Sequence, residues 1–172
     1  PPGRFSITTG CPHFADSLVL VQPGRKMRAI LTEADLHDFL KVTFPQVKDD
    51  FAVERLTPEG IVLRLKVSDK HLRPGGTVSG PSMFGLADVA FYFALMSRIG
   101  LEALAVTTNV AIDFLRKPMP DADLLGEARI LKIGRQLAAG DVLIRSEGQD
   151  AVVARAGLTF SIPPKKSMDQ VG

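Results

Sequence analysis

The chain has 172 residues, of which 45% are hydrophobic and 23% are charged, and its mean hydropathy is slightly positive. This composition is typical of one globular domain and excludes disorder, collagen and coiled coil. No apolar run reaches the roughly 18 residues that a membrane span needs, because Asp88 interrupts the richest stretch. We therefore expect a soluble protein with no membrane partner.

Charge and cysteine content exclude further classes of function. The chain carries 21 basic and 19 acidic residues, and the basic residues are dispersed along the sequence, so nucleic acid is not predicted as a partner. The one cysteine cannot form an internal disulfide, and the three histidines lack the spacing of metal ligands. We predict no metal site, no secretory signal and a cytoplasmic location.

The chain divides into a leader, one domain and a tail. Residues 1–26 contain several Pro and Gly turn signals, and we predict a poorly ordered leader there. Residues 163–172 are polar and are predicted to form a tail. The domain, residues 27–162, begins with a short amphipathic helix, in which Thr32 can cap the amide of Asp35.

A hairpin and a long apolar helix follow. Apolar and polar side chains alternate over residues 51–68, and the turn Pro58-Glu59-Gly60 divides this segment into two strands. Pro81 suits the first turn of a helix, which runs to about Arg98 and is ended by Gly100. Apolar residues cover nearly every face of this helix, so we expect protein on all sides. The predicted core residues of the helix include Met83, Phe84, Phe91 and Phe93, although some of them could line a ligand pocket instead.

Four further strand-like runs come after the helix. They cover residues 104–116, 123–133, 138–146 and 151–162. Because they are consecutive, we expect hairpin or meander pairing between neighbours. An antiparallel sheet of about six strands, wrapped around one long central helix, accounts for this order, and the fold class is α+β.

Asp88 is the most informative residue, because it lies two turns into a helix that is otherwise apolar. A buried carboxylate without a partner is strongly unfavourable, so Asp88 must be hydrogen-bonded, neutralised or exposed to a cleft. A structural role, with the carboxylate bound to a nearby amide, stays open. The alternative is a reactive carboxylate.

The segment before this helix is rich in glycine. Residues 75–82 have the glycine spacing of a phosphate-binding P-loop, but Pro81 stands where that motif needs its lysine. We therefore exclude nucleotide phosphate binding. The free amides at a helix N-terminus can instead bind an oxygen that carries or gains negative charge, and Gly80 lets a ligand approach its N–H closely.

Two segments carry a resemblance to a known family. Residues 79–91, Ser-Gly-Pro-Ser-Met-Phe-Gly-Leu-Ala-Asp-Val-Ala-Phe, resemble the helix signature of the PaaI-type acyl-CoA thioesterases, in which His-Gly-Gly precedes six residues and an Asp. Residues 107–118 are similar to the strand that follows this helix in the family, and the likeness covers about residues 32–162. It implies the hotdog fold and hydrolysis of acyl-CoA to free acid and coenzyme A, with no cofactor besides the coenzyme A of the substrate.

The resemblance also implies roles for individual residues. It assigns Asp88 to the catalytic carboxylate, as general base or nucleophile, and the Gly80 amide to the donor that polarises the thioester carbonyl. Ser79 stands at the family's usual histidine, Pro81 at its second glycine and Arg73 at a frequent asparagine. These three departures bear on substrate orientation and on assistance to the leaving group.

Hydroxyl and basic residues complete the set of candidates. Thr107 or Thr108 falls near a hydroxyl residue with which some relatives hold the attacking water. Arg116, Lys117 and Arg135 could meet the phosphates of coenzyme A, although exposed basic residues at strand ends are common. The resemblance further implies a homodimer, or a dimer of dimers, in which the carboxylate of one subunit faces the glycine amide of the other.

Other functions stay open at this point. The chain could be an acyl-CoA binding module that has lost catalysis, or a hotdog dehydratase or hydratase, although that chemistry usually needs a histidine that the helix and the next strand lack. A nucleophilic Ser79 is disfavoured, because the Gly-x-Ser-x-Gly motif is missing and His71 lies in the same loop without an obvious acidic partner. We expect Ser79 or Ser82 to cap the helix instead.

Overall fold

The computed structural model describes residues 28–101 and 104–163, and this part of the chain contains two α-helices and eight strands. The helices are α1 (Glu33–Thr43) and α2 (Gly80–Ile99). The strands are β1 (Phe51–Leu56), β2 (Gly60–Leu65), β3 (Leu72–Arg73), β4 (Thr77–Val78), β5 (Val106–Phe114), β6 (Leu124–Ile133), β7 (Leu137–Ser146) and β8 (Val152–Ser161). The predicted leader, residues 1–26, and most of the predicted tail, residues 164–172, lie outside the described residues.

Six of the strands form one antiparallel sheet, and α2 packs against one of its faces. The order of strands is β1-β2-β6-β7-β8-β5, while β3 and β4 form a separate two-stranded ribbon. Along β6, β7 and β8, buried residues alternate with more exposed ones, because one face of the sheet covers α2 and the other faces outwards. The predicted α+β hotdog architecture is confirmed.

The predicted meander is correct for β6, β7 and β8 and wrong for β5. Strand β5 pairs with β8, and β6 pairs with β2. The connection between β5 and β6, residues 115–123, contains Pro118 and Pro120 and is much longer than a tight hairpin turn. The chain therefore returns to the middle of the sheet, and β5 is left at an edge.

The helix ends agree with the signals in the sequence. The Thr32 hydroxyl accepts the N–H of Asp35 at 3.2 Å, and the Asp35 carboxylate accepts the Thr32 N–H at 2.8 Å, so the predicted capping box is present. Gly100 ends α2 with a φ of 95°, a left-handed value that glycine adopts without strain. Both helices thus begin and end where local chemistry predicts.

The core lies between α2 and the sheet, and it is not as complete around α2 as the sequence suggests. Phe91 packs against Phe160 of β8 with the two rings tilted, and Phe39 of α1 covers α2 at Tyr92 and Phe93. Those contacts lie in the C-terminal half of α2. Phe84, in the N-terminal half, is 42% exposed, so its predicted place in the core is wrong.

Helix α2 is also long and apolar enough, by length and composition, to cross a membrane. In this fold, however, 67% of its most apolar window is buried inside the protein. That burial is what the core helix of a globular domain shows.

Candidate active site

The N-terminus of α2 is fixed by hydrogen bonds to the segment before it. The Ser79 hydroxyl accepts the N–H of Ser82 at 3.3 Å and therefore caps the helix. The Ser79 N–H and the Ser82 hydroxyl both donate to the carbonyl of His71, at 2.8 and 3.0 Å. In this chain, the residue at the position of the family's histidine holds the helix end in place.

The imidazole of His71 is turned away from Ser79. Its Nδ1 accepts the N–H of Ser68 at 3.0 Å and lies 3.2 Å from the Ser68 hydroxyl, as in the cap of a short turn. Its Nε2 lies 3.8 Å from the Asp50 carboxylate, so the acidic neighbour that the sequence did not reveal is present. Ser79 has no imidazole beside its hydroxyl among the described residues, which argues against a serine nucleophile.

Asp88 is half-buried on α2 and turns towards the edge strand β5. Its Oδ1 accepts the hydroxyl of Thr107 at 2.6 Å. The Thr108 hydroxyl donates instead to the Thr159 carbonyl at 3.1 Å, because successive side chains of a strand point in different directions. The pairing of β5 with β8 shifts register between Thr107 and Asn109. No other described residue donates to the Asp88 carboxylate, so its second oxygen is available to a ligand or a water molecule.

A cleft of about 350 Å³ opens beside the N-terminus of α2. It is lined by Arg73, Thr77, Val78, Gly80, Met83, Phe114, Leu115, Arg116, Lys117 and Pro118. Three of these side chains are cations, and none is an acid. Within the described part of the chain the three cations form no ion pair, and the buried Thr77 hydroxyl has no hydrogen-bond partner. The cleft therefore presents free donors and positive charge, which suit an anionic or partly anionic group.

The amide of Gly80 is the free backbone donor of this cleft. Pro81 has no N–H, and the N–H groups of Ser82 and Met83 donate to Ser79. A Cβ at position 80 would lie 3.2 Å from the ring of Phe114, so this ring packs directly on the glycine. Among the described residues no acceptor pairs with the Gly80 N–H, which is the arrangement of an oxyanion donor.

Ser79 and Pro81 form the first turn of α2, and Thr108 bonds to β8. The other seven predicted site residues fall into three places. The cleft brings Arg73, Gly80, Arg116 and Lys117 together. Asp88 and Thr107 form a second group farther along α2. Arg135 is in neither group: it lies in the turn between β6 and β7, at the opposite end of the sheet from Arg116 and Lys117.

The distance between the first two groups limits what one chain can do. Gly80 and Asp88 are eight residues apart on the same helix, which separates them by about 12 Å along its axis. One thioester carbonyl cannot contact both of these residues in a single chain. A site that uses both needs a second copy of the chain.

Charged groups on the outer face of the sheet are arranged differently. Arg64 forms ion pairs with three carboxylates at once, those of Glu54, Asp123 and Glu147. These hydrogen bonds raise the pKa of Arg64 and lower the pKa of Glu147. Among the residues that the structure describes, no group of three or more His, Cys, Asp or Glu side chains is placed to hold a metal ion.

Comparison with known proteins agrees with the geometry. The family model described as thioesterase superfamily matches residues 75–153. The crystal structure of a candidate thioesterase from a Silicibacter species is 51% identical, has a TM-score of 0.76, and is matched over 81% of this chain and 97% of that one. The chain belongs to the thioesterase superfamily. Its reaction class is the hydrolysis of a thioester.

More distant structures share the fold. A variant of the phenylacetic acid degradation protein PaaI from Thermus thermophilus is 28% identical, with a TM-score of 0.60 over 69% of this chain and 99% of that one. Thioesterase superfamily member 2 from zebrafish is 23% identical, with a TM-score of 0.69 over 77% of this chain and 99% of that one. No curated protein matches the chain. The predicted resemblance to PaaI-type thioesterases is confirmed.

Proposed function

We propose that this protein hydrolyses acyl-CoA thioesters at a site built from two copies of the chain. The observation that carries this proposal is the pairing of Asp88 with Thr107 on one side and the free Gly80 amide in a cationic cleft on the other. The two halves have complementary chemistry, a carboxylate for attack and a donor for the developing oxyanion. They lie too far apart in one chain to act on one carbonyl.

The edge strand β5 supplies a way to join two copies. Within residues 28–101 and 104–163 its only sheet partner is β8, and none of its nine residues is buried in the single chain. Val106 and Phe114, at its two ends, are 57% and 52% exposed. A long apolar edge of this kind pairs readily with another strand, and a second copy of β5 is the partner with matching length.

Antiparallel pairing of two β5 strands about Val110 would complete the site. Val106 would then lie opposite Phe114 of the partner subunit, and Thr107 would lie next to this pair of residues. Because the Phe114 ring packs on Gly80 within each chain, this register brings the Asp88–Thr107 pair of one copy to the Gly80 cleft of the other. The homodimer is the smallest assembly that this arrangement needs.

The chemistry proceeds by one of two routes. The thioester oxygen accepts the Gly80 N–H, which stabilises the negative charge that forms there. In the base route, Asp88 takes a proton from water, the hydroxide adds to the carbonyl carbon, and the C–S bond breaks to release the thiolate of coenzyme A. In the nucleophile route, the Asp88 carboxylate attacks the carbonyl carbon, and the C–S bond breaks to release the thiolate of coenzyme A. The acyl anhydride that remains on Asp88 is then hydrolysed by water to the free acid and the carboxylate. The Thr107 hydroxyl orients the carboxylate in both.

The cations of the cleft support coenzyme A as the thiol part of the substrate. Arg73, Arg116 and Lys117 have no acidic partner among the described residues, so the phosphates of coenzyme A can bind them without displacing an ion pair. Antiparallel pairing of the β5 strands would also turn Arg135 of the partner subunit towards the same end of the dimer. Arg135 is therefore proposed as a peripheral contact to the nucleotide.

Substitution of the carboxylate tests the proposal. We expect Asp88→Asn to keep the fold and to lower the rate of thiol release from acyl-CoA by at least about 100-fold, the contribution of a general base. Asp150→Asn, an exposed acid in the connection between β7 and β8, is the matched control and should keep the rate of the unsubstituted chain. An unchanged rate in Asp88→Asn would contradict the proposal. Tight binding of acyl-CoA in calorimetry, with no thiol release from the unsubstituted chain, would favour a binding module instead.

A further inference from the structure

Most described glycines of this chain are required by a positive φ angle or by a close neighbour, and two are not. Of the eleven described glycines, four have positive φ angles, and five have neighbours within 3.4 Å of where a Cβ would lie. Only Gly85 and Gly157 have neither reason among the described residues. A Cβ at either position would meet nothing within 4 Å.

Gly85 is the unexpected member of this pair, because it lies inside α2. Glycine in a helix interior is about 1 kcal/mol less favourable than alanine. Neither the backbone conformation nor a contact within the described chain offsets that cost. The described chain therefore gives no internal reason for glycine at this position.

The position of Gly85 relates it to the reactive carboxylate. It lies three residues before Asp88, so the two positions are neighbours on the helix surface. Helical side chains lean towards the N-terminus of the helix, so the Asp88 side chain extends over the turn that contains Gly85. The missing side chain at position 85 leaves open space next to the carboxylate.

The surroundings of this space are apolar. Phe84 is 42% exposed beside it, Val89 is half-buried one turn away, and Asp88 is the only ionisable residue from position 81 to position 89. The cations of the site all lie in the cleft at the helix N-terminus. The two ends of a thioester substrate differ in the same way, since the coenzyme A end is anionic and the acyl end is a hydrocarbon.

Resting on the proposed function, we infer that the space at Gly85 receives the acyl group of the substrate and admits acyl groups that are branched or aromatic next to the carbonyl. Gly85 is then a specificity-determining residue. A methyl group at position 85 would narrow the space beside the carboxylate. A larger side chain would fill it. Small acyl groups such as acetyl would still fit.

A graded series of variants tests this inference. We expect Gly85→Ala to lower kcat/KM for benzoyl-CoA and isobutyryl-CoA by about tenfold or more, the discrimination typical of one methylene in a pocket, with kcat/KM for acetyl-CoA unchanged. Gly85→Leu should extend the loss. Gly157→Ala, at the other open glycine, on the outer face of β8, is the matched control and should change neither value.

Stability and binding measurements separate this inference from the proposed function. Gly85→Ala should raise Tm, because alanine favours the helix, so a loss of activity would not reflect unfolding. Equal kcat/KM changes for bulky and small substrates, or none, would overturn the inference while leaving thioester hydrolysis in place. If the unsubstituted chain releases no thiol, calorimetry with thioether analogues of acetyl-CoA and benzoyl-CoA applies the same test: weaker binding of the benzoyl analogue alone supports the inference, and equal effects overturn it.

Discussion

Two clusters of positive charge in this molecule have opposite surroundings. On the outer face of the sheet, Arg64 is bound by three carboxylates and its side chain is only 18% exposed. In the cleft at the N-terminus of α2, three cations lie beside a free amide and a buried hydroxyl without any acid in the lining. The outer cluster is already neutralised by the fold, whereas the cleft has positive charge to offer a ligand.

The charge of Arg64 acts in the fold, whereas the charges of the cleft are available for binding. Ion pairs that are partly buried and connected into a network stabilise the folded state, and removing one member leaves the others without a partner. Cations without partners contribute little to stability, so they can be replaced without unfolding the chain. Substitutions in the two clusters should therefore have different effects, on stability in one and on substrate binding in the other.

Among substitutions of these cations, the largest effect is expected from reversing charge in the cleft. Arg116→Glu with Lys117→Glu should lower kcat/KM for acyl-CoA by about 100-fold, because two charge-assisted contacts to phosphate are lost and repulsion replaces them. Tm should stay the same, since neither residue has an ion-pair partner in the described part of the chain. Arg55→Glu with Arg155→Glu, at two exposed positions on β1 and β8 outside the cleft, controls for the same change in net charge. Equal losses in both proteins would contradict a phosphate site.

A smaller effect, on stability, is expected from the outer face. Arg64→Met should lower the free energy of unfolding by about 2 kcal/mol, because hydrogen bonds to three carboxylates are lost and those carboxylates then repel one another. Chemical denaturation measures the difference. KM for acyl-CoA should not change, and an increased KM would show that the outer face also takes part in substrate binding.

The smallest effect concerns pH and Glu127. Burial alone would raise the pKa of Glu127, but the hydrogen bonds and charges of Arg129 and Arg145 together outweigh burial and lower the pKa below its ordinary value of 4.5. A lowered pKa stabilises the folded state above pH 4.5, and this stabilisation is lost as the pH falls through the folded-state value. Glu127→Gln should therefore cost about 1 kcal/mol at pH 7 and less at pH 3. Chemical denaturation at both pH values measures the difference in the free energy of unfolding between Glu127→Gln and the unsubstituted chain. The same difference at pH 3 and at pH 7 would contradict this prediction.

Local features of the fold could be predicted from the sequence, because they depend on neighbouring residues. The caps at Thr32 and Ser79 and the end of α2 at Gly100 follow from hydrogen-bonding capacity and backbone freedom within a few positions. The spacing from Ser79 to Asp88 carried the family resemblance. Each of these signals depends only on residues that are close in sequence, so it does not require knowledge of how the strands pair.

Features that depend on distant pairing were missed. The edge position of β5 follows from the pairing of the whole sheet. The same pairing brings Arg73, in β3, close to Arg116 and Lys117, which lie more than forty residues later in the sequence. The pairing of β5 with β8 also decides which face of β5 is turned towards α2, and therefore that Thr107 and not Thr108 reaches Asp88. Basic residues that look dispersed in sequence therefore share one cleft in the fold.

The central claim is that Asp88 of one chain acts with the cleft of another, and mixing two defective chains tests it most directly. Asp88→Asn and Arg116→Glu with Lys117→Glu should each be nearly inactive as homodimers at substrate concentrations below KM. Co-refolded in equal amounts, they should regain about a quarter of the unsubstituted activity, because half of the dimers are mixed and one of their two sites is intact. Mixed dimers, isolated by two different tags, that stay as inactive as their parents would contradict a site shared between subunits.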